Sequence, residues 1–189
     1  MGPGILYLHG FRSSPASWKA RVLVEALRER AQSDRLLCPA LSPEPQAAMA
    51  EAERLIAGWS GPLTLVGSSL GGFYATYLAE KYDLRAVLIN PAVAAPRLLE
   101  DYLGAHVPLH GGPAFELTAA HLDELRALEV PTLSPQRYLL LVETGDEVLD
   151  YRQALMRYAG AKQVVLEGGD HSFTRFPALL PQLFEFCKL

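Results

Sequence analysis

The stretch Gly67-Ser68-Ser69-Leu70-Gly71 has the residue types and the spacing for nucleophilic chemistry. It follows an apolar run, Leu63 to Val66, and leads into a helix-like segment, Phe73 to Tyr82. In a strand, sharp turn and helix of the form Gly-x-Ser-x-Gly, the serine occupies the turn in a strained backbone geometry. The residues two before and two after it must then be nearly free of side chain. Gly67 and Gly71 frame Ser69 in this way, whereas the residues at the same distance from Ser68 are Val66 and Leu70. The reactive hydroxyl is therefore expected on Ser69.

A serine hydroxyl is a weak nucleophile at neutral pH, so it needs a base within hydrogen-bond reach and a third group to orient that base. His171, in Gly168-Gly169-Asp170-His171-Ser172-Phe173, is the candidate base. Asp146, in Glu143-Thr144-Gly145-Asp146-Glu147, is the candidate orienting acid. Glu143, Glu147 and Asp150 are alternatives for that role, and the plainer reading makes all four solvated loop or helix-cap charges. Asp170 is expected to cap or brace the loop of the base. Near the start, His9-Gly10-Phe11 follows the first apolar run, and the backbone amides of Phe11 and Leu70 would form an oxyanion hole. His9 and Gly10 would shape that loop. Arg12 reads as a solvated loop arginine, with attraction of an anionic substrate group as its other possible role. His106, His110 and His121 share no metal-ligand spacing and read as surface or packing residues. No metal and no cofactor are called for. The glycine-rich turn lacks both a G-K-[ST] ending and a G-x-G-x-x-G pattern, which speaks against a phosphate loop.

These residues must be held by regular elements. Ile5 to Leu8, Arg35 to Pro39, Leu63 to Val66, Ala86 to Ile89, Tyr138 to Val142 and Val164 to Leu166 read as short strands. Amphipathic segments at Trp18 to Gln32, about Gln46 to Trp59, Phe73 to Tyr82 and Phe176 to Leu189 read as helices. Apolar strands alternating with helices predict an α/β fold, a mostly parallel sheet with helices on both faces and right-handed crossovers. The candidate residues all follow strands, so they gather at the carboxyl edge. Between Pro91 and Pro135 the pattern is less regular, and residues 92–134 are read as a small helical lid in a single domain over 1–189. Thr118 to His121 would cap its helix.

The 189 residues are 50% hydrophobic and 20% charged, enough for one domain with a sizeable core. A net charge of -4 argues against nucleic acid as a partner. No apolar run approaches the roughly 20 residues of a membrane span, and the start lacks a signal-like pattern, so a cytoplasmic protein is expected. Cys38 and Cys187 form no C-x-x-C pair and read as reduced and structural.

The chain order Ser69, Asp146, His171 is the α/β-hydrolase order. The chain resembles that superfamily and, within it, the YqiA-like esterase family. The resemblance is carried by Tyr7 to Pro15, Val66 to Phe73, Leu88 to Ala92, Leu99 to Gly104, Thr144 to Tyr151 and Gly168 to Phe173. It implies a compact α/β-hydrolase fold and hydrolysis of a small-molecule carboxylic ester or acyl thioester, with Ser69, Asp146 and His171 at the triad positions. A non-catalytic binding protein on the same fold, or an acyltransferase with the same triad, is the alternative.

Overall fold

The computed structural model describes residues 2–189, so residue 1 of the expected domain lies outside it. Strand β1 (Gly4–Leu8) is followed by helix α1 (Trp18–Glu29), strand β2 (Leu36–Leu37), helix α2 (Pro45–Gly58), strand β3 (Leu63–Ser68), helix α3 (Leu70–Tyr82) and strand β4 (Arg85–Ile89). A longer excursion comes next. It holds α4 (Ala95–Leu98), a tight turn at Glu100–Tyr102, an antiparallel hairpin of β5 (Gly104–His106) and β6 (Phe115–Leu117), and α5 (Ala119–Ala127). The chain then closes with β7 (Tyr138–Glu143), α6 (Tyr151–Arg157), β8 (Lys162–Leu166) and α7 (Phe176–Cys187).

Six strands form one sheet in the order β2-β1-β3-β4-β7-β8, and every neighbouring pair is parallel. Residues alternate between its two faces, as a strand's two-residue period requires. Leu6, Leu8, Leu65, Leu88 and Leu140 face a core shared with α2 and α3, through Met49, Tyr74 and Leu78. Ile5, Tyr7, Val66, Val87 and Leu139 face the opposite core, shared with α1 and α7 through Leu23, Leu27, Phe176 and Leu183. Both faces are therefore covered, which is why these strands read as unbroken apolar runs.

The expected strands and helices are present, with a few instructive shifts. Helix α3 starts at Leu70, not Phe73, because Gly71 and Gly72 are weak helix formers held in the first turn by packing. Helix α6 and the β5–β6 hairpin were not anticipated, since their seven- and three-residue lengths are too short to show a period. Thr118 does cap α5, accepting from the His121 amide while the His121 ring accepts from the Thr118 amide. Among the described residues no helix is long and apolar enough to cross a membrane.

The chain leaves β1 for β2 on one side, whereas it leaves β3 for β4 on the other. The loops after these adjacent strands therefore diverge and open a crevice at their carboxyl ends, the usual ligand position in such sheets. Helix α3 comes very close to β1 there. A Cβ on Gly71 would stand 1.9 Å from the Leu8 carbonyl oxygen, and one on Gly67 would stand 2.2 Å from the Gly71 oxygen. At Gly58, the exposed end of α2, a Cβ meets nothing within 4 Å. Urea denaturation should accordingly show Gly71→Ala losing at least about 2 kcal/mol of stability while Gly58→Ala gains about 0.5–1 kcal/mol.

Candidate active site

Ser69 forms the hinge between β3 and α3, with φ 55 and ψ -120. That left-handed backbone costs a non-glycine residue on the order of 1–3 kcal/mol and persists only where the surroundings dictate it. Here the Ser69 amide donates to Ile89 O at 3.1 Å, and its carbonyl accepts from Gly72 at 2.9 Å and Ala92 at 3.1 Å. The turn thrusts the Ser69 hydroxyl into the crevice at the amino end of α3, where the helix dipole favours developing negative charge.

The His171 Nε2 lies 3.2 Å from Ser69 Oγ, and its Nδ1 lies 2.8 Å from Asp146 Oδ2. The Asp146 side chain is 1% exposed. Burial alone would push its carboxyl up, but hydrogen bonds from His171, Leu149 and Val148 hold it below its ordinary value of 3.8. An ionised carboxylate only accepts, so Nδ1 carries the imidazole proton and Nε2 is left to accept from the Ser69 hydroxyl. The three expected residues therefore form one hydrogen-bonded chain.

Two laced loops keep that chain in place. Gly145 donates to Gly168 O at 2.8 Å, Gly168 to Thr144 Oγ1 at 2.8 Å, and His171 to Glu147 Oε2 at 3.0 Å. The alternatives to Asp146 are each occupied elsewhere. Glu143, fully buried at the end of β7, pairs with Arg175 at 2.6 Å and accepts from the Asp170 amide at 2.8 Å. Glu147 binds the His171 amide, and Asp150 caps α6. Asp170 braces its own loop by accepting from the Phe173 amide at 3.1 Å.

The loop after β1 presses directly on the serine, since a Cβ on Gly10 would stand 3.2 Å from Ser69 Cβ. The buried His9 ring fixes this loop, with Nδ1 3.0 Å from Gly10 O and Nε2 accepting from Leu41 N at 3.0 Å. Burial holds the His9 pKa down, so the neutral tautomer that makes both bonds is favoured. Phe11 and Leu70 line a cavity of about 520 Å³ together with Ser69 and His171, and Leu98, Leu99 and Leu149 form its apolar wall. Arg12, a half-buried loop arginine, is tied down at one guanidinium atom. Its Nε donates to Val107 O at 3.0 Å.

Two further residues matter that sequence reasoning passed over. Asn90, at φ 40, donates to Asp170 O at 3.2 Å and accepts from Glu143 N at 3.1 Å, so it links β4 and β7 to the loop of His171. Its one signal in the sequence is the Asn-Pro pair that ends β4. Lys19 on α1 donates to Ser172 O at 2.8 Å, and burial pushes its ammonium down to about 8 against the pull of Asp146, Asp170 and Glu143. No group of three or more potential metal ligands is placed to hold an ion among the described residues.

The model of the family described as "Uncharacterised protein family (UPF0227)" matches residues 4–188. The chain belongs to this family. UPF0227 is the YqiA family that the motifs resemble. Among solved structures, alpha/beta hydrolase domain-containing protein 10 from mouse is 18% identical, with a TM-score of 0.71 over 97% of this chain and 88% of that one. Est1E from Butyrivibrio proteoclasticus is 14% identical, with a TM-score of 0.68 over 98% and 86%. A pyrethroid hydrolase from Sphingobium faniae JZ-2 is 16% identical, with a TM-score of 0.65 over 100% and 98%. At these identities the likeness is one of fold, and this UPF0227 member has the α/β-hydrolase fold.

The Asp146 contacts carry a pH signature. Because its folded pKa lies below the unfolded one, its stabilisation is complete above the unfolded value and is lost as pH falls through the folded value. The urea midpoint of the chain should exceed that of Asp146→Asn by a constant margin above about pH 5, and the margin should shrink below about pH 3.

Proposed function

We propose that this protein is a cofactor-free serine hydrolase of carboxylic esters or acyl thioesters, built as a single domain with a lid over residues 92–134. The observation that carries this reading is the continuous Ser69–His171–Asp146 hydrogen-bond chain at the turn between β3 and α3. Ser69 Oγ attacks the substrate carbonyl carbon while His171 Nε2 takes the hydroxyl proton, and Asp146 stabilises the resulting imidazolium. The amides of Phe11 and Leu70 receive the oxyanion. As the tetrahedral intermediate collapses, the bond from carbonyl carbon to alcohol oxygen or thiol sulfur breaks, and His171 protonates the leaving group. Water, deprotonated by His171, then adds to the acyl-enzyme, and the acid departs as Ser69 regains its proton.

The fold likeness to Est1E and to a pyrethroid hydrolase supports this reading, as does the apolar wall of the cavity beside Ser69. Over a panel of p-nitrophenyl esters and acyl thioesters, Ser69→Ala should lower kcat by about a million-fold, as removal of a triad nucleophile does elsewhere. Retention of ordinary turnover by Ser69→Ala would falsify the assignment.

A further inference from the structure

The oxyanion loop is anchored unequally on its two sides. Upstream, His9 ties it to Leu41. Downstream, Phe11 and Arg12 are held by the excursion between β4 and β7. The Phe11 ring meets Tyr102, His106 and Phe115 edge-on, at centroid distances of 6.0, 5.1 and 5.8 Å and interplanar angles of 76, 78 and 89°. These are the T-shaped geometries that aromatic pairs favour. The next residue, Arg12, is gripped on both its backbone and its side chain, since its carbonyl accepts from Leu109 N at 2.8 Å and its Nε donates to Val107 O at 3.0 Å. Arg12 is also left-handed, at φ 58, a conformation that needs such outside support.

We propose that the β5–β6 hairpin and the turn before it aim the Phe11 amide at the reacting carbonyl, which makes Tyr102, His106 and Phe115 positioning residues. The proposal rests on the serine-hydrolase reading above. The carbonyl end of the peptide between Gly10 and Phe11 is held from the upstream side, since Gly10 O lies 3.0 Å from His9 Nδ1 and accepts from Ser13 N at 3.2 Å. With the Phe11 ring clamped, the peptide between Gly10 and Phe11 is held at both ends. With the clamp removed, the peptide keeps its carbonyl bonds to His9 and Ser13 but loses the ring that fixes its far end, and its N–H tilts away from the oxyanion. The excursion therefore contributes to the chemical step as well as covering the cavity.

The test uses His106→Ala and Phe115→Ala, both at half-buried positions, with His106→Phe as the conservative variant that keeps a ring. Among the described residues His106 lines neither of the two cavities that contain Ser69, so its alanine variant isolates positioning from ground-state binding, whereas Phe115 also lines the adjoining cavity beside Phe11 and Leu70 and its variant is read by kcat and ketone affinity. Active sites are titrated with a fluorophosphonate, so that any misfolded fraction is discounted. Per titrated site, each alanine variant should lose roughly ten- to a hundredfold in kcat, up to the cost of losing a whole oxyanion donor, with the KM of His106→Ala changed less than about threefold. Affinity for a trifluoromethyl ketone, which mimics the tetrahedral intermediate, should fall by the same factor as kcat, and His106→Phe should recover most of both. Variants that keep kcat within about twofold of the parent, or that lose kcat with ketone affinity intact, overturn the positioning role. A parent chain that neither turns over esters nor binds the ketone overturns the hydrolase reading and this proposal with it.

Discussion

The rest of the site depends on the close approach of α3 to the carboxyl end of β1. It is possible only because Gly67, Gly71 and Gly72 present bare backbone to the Leu8 carbonyl, to one another and to Pro91. Three consequences follow from the same packing. Ser69 is forced to φ 55 with its hydroxyl in the crevice, Gly10 is brought against Ser69 Cβ, and the amino end of α3 points at the place where charge would develop. The strain at Ser69 is held by the two-sided core of a six-stranded parallel sheet, which is where a fold can offset it.

The second half of the site is organised by a buried charge. Glu143 ends β7 with no exposure to solvent, and its carboxylate pairs with Arg175 and accepts the Asp170 amide. Removing one partner from such a pair leaves an uncompensated buried charge, so the arrangement is strongly specified. Asn90 adds the cross-link to β4. The loop carrying His171 is thus fastened to the ends of two central strands, and Asp146, one turn beyond Glu143, inherits its register.

The parts of this arrangement legible in the sequence are those that repeat or that follow a geometric necessity. Strands buried on both faces announce themselves as apolar runs, and the two glycines around Ser69 mark a turn that only they permit. The sequence favours Asp146 over Glu143, and the physical reason is visible only in three dimensions: Glu143 ends β7 against Arg175, whereas Asp146, in the loop beyond it, meets His171. The tie from Arg12 to the Val107 carbonyl leaves no mark in the sequence, because that partner lies far along the chain in a segment without a period. The β5–β6 hairpin escaped notice for the same reason, and with it the aromatic seat of Phe11. Contacts set by loops closing over a sheet leave no periodic trace.

The central claim is that Ser69, not its neighbour Ser68, carries the acyl group between two half-reactions. Rapid mixing with a slowly deacylating p-nitrophenyl ester, followed by mass spectrometry of the quenched protein and its peptides, tests it directly. The account predicts a burst of one equivalent of p-nitrophenolate per chain and an acyl mass increment on Ser69. A burst-free time course with no covalent adduct, or an adduct on Ser68, would contradict it.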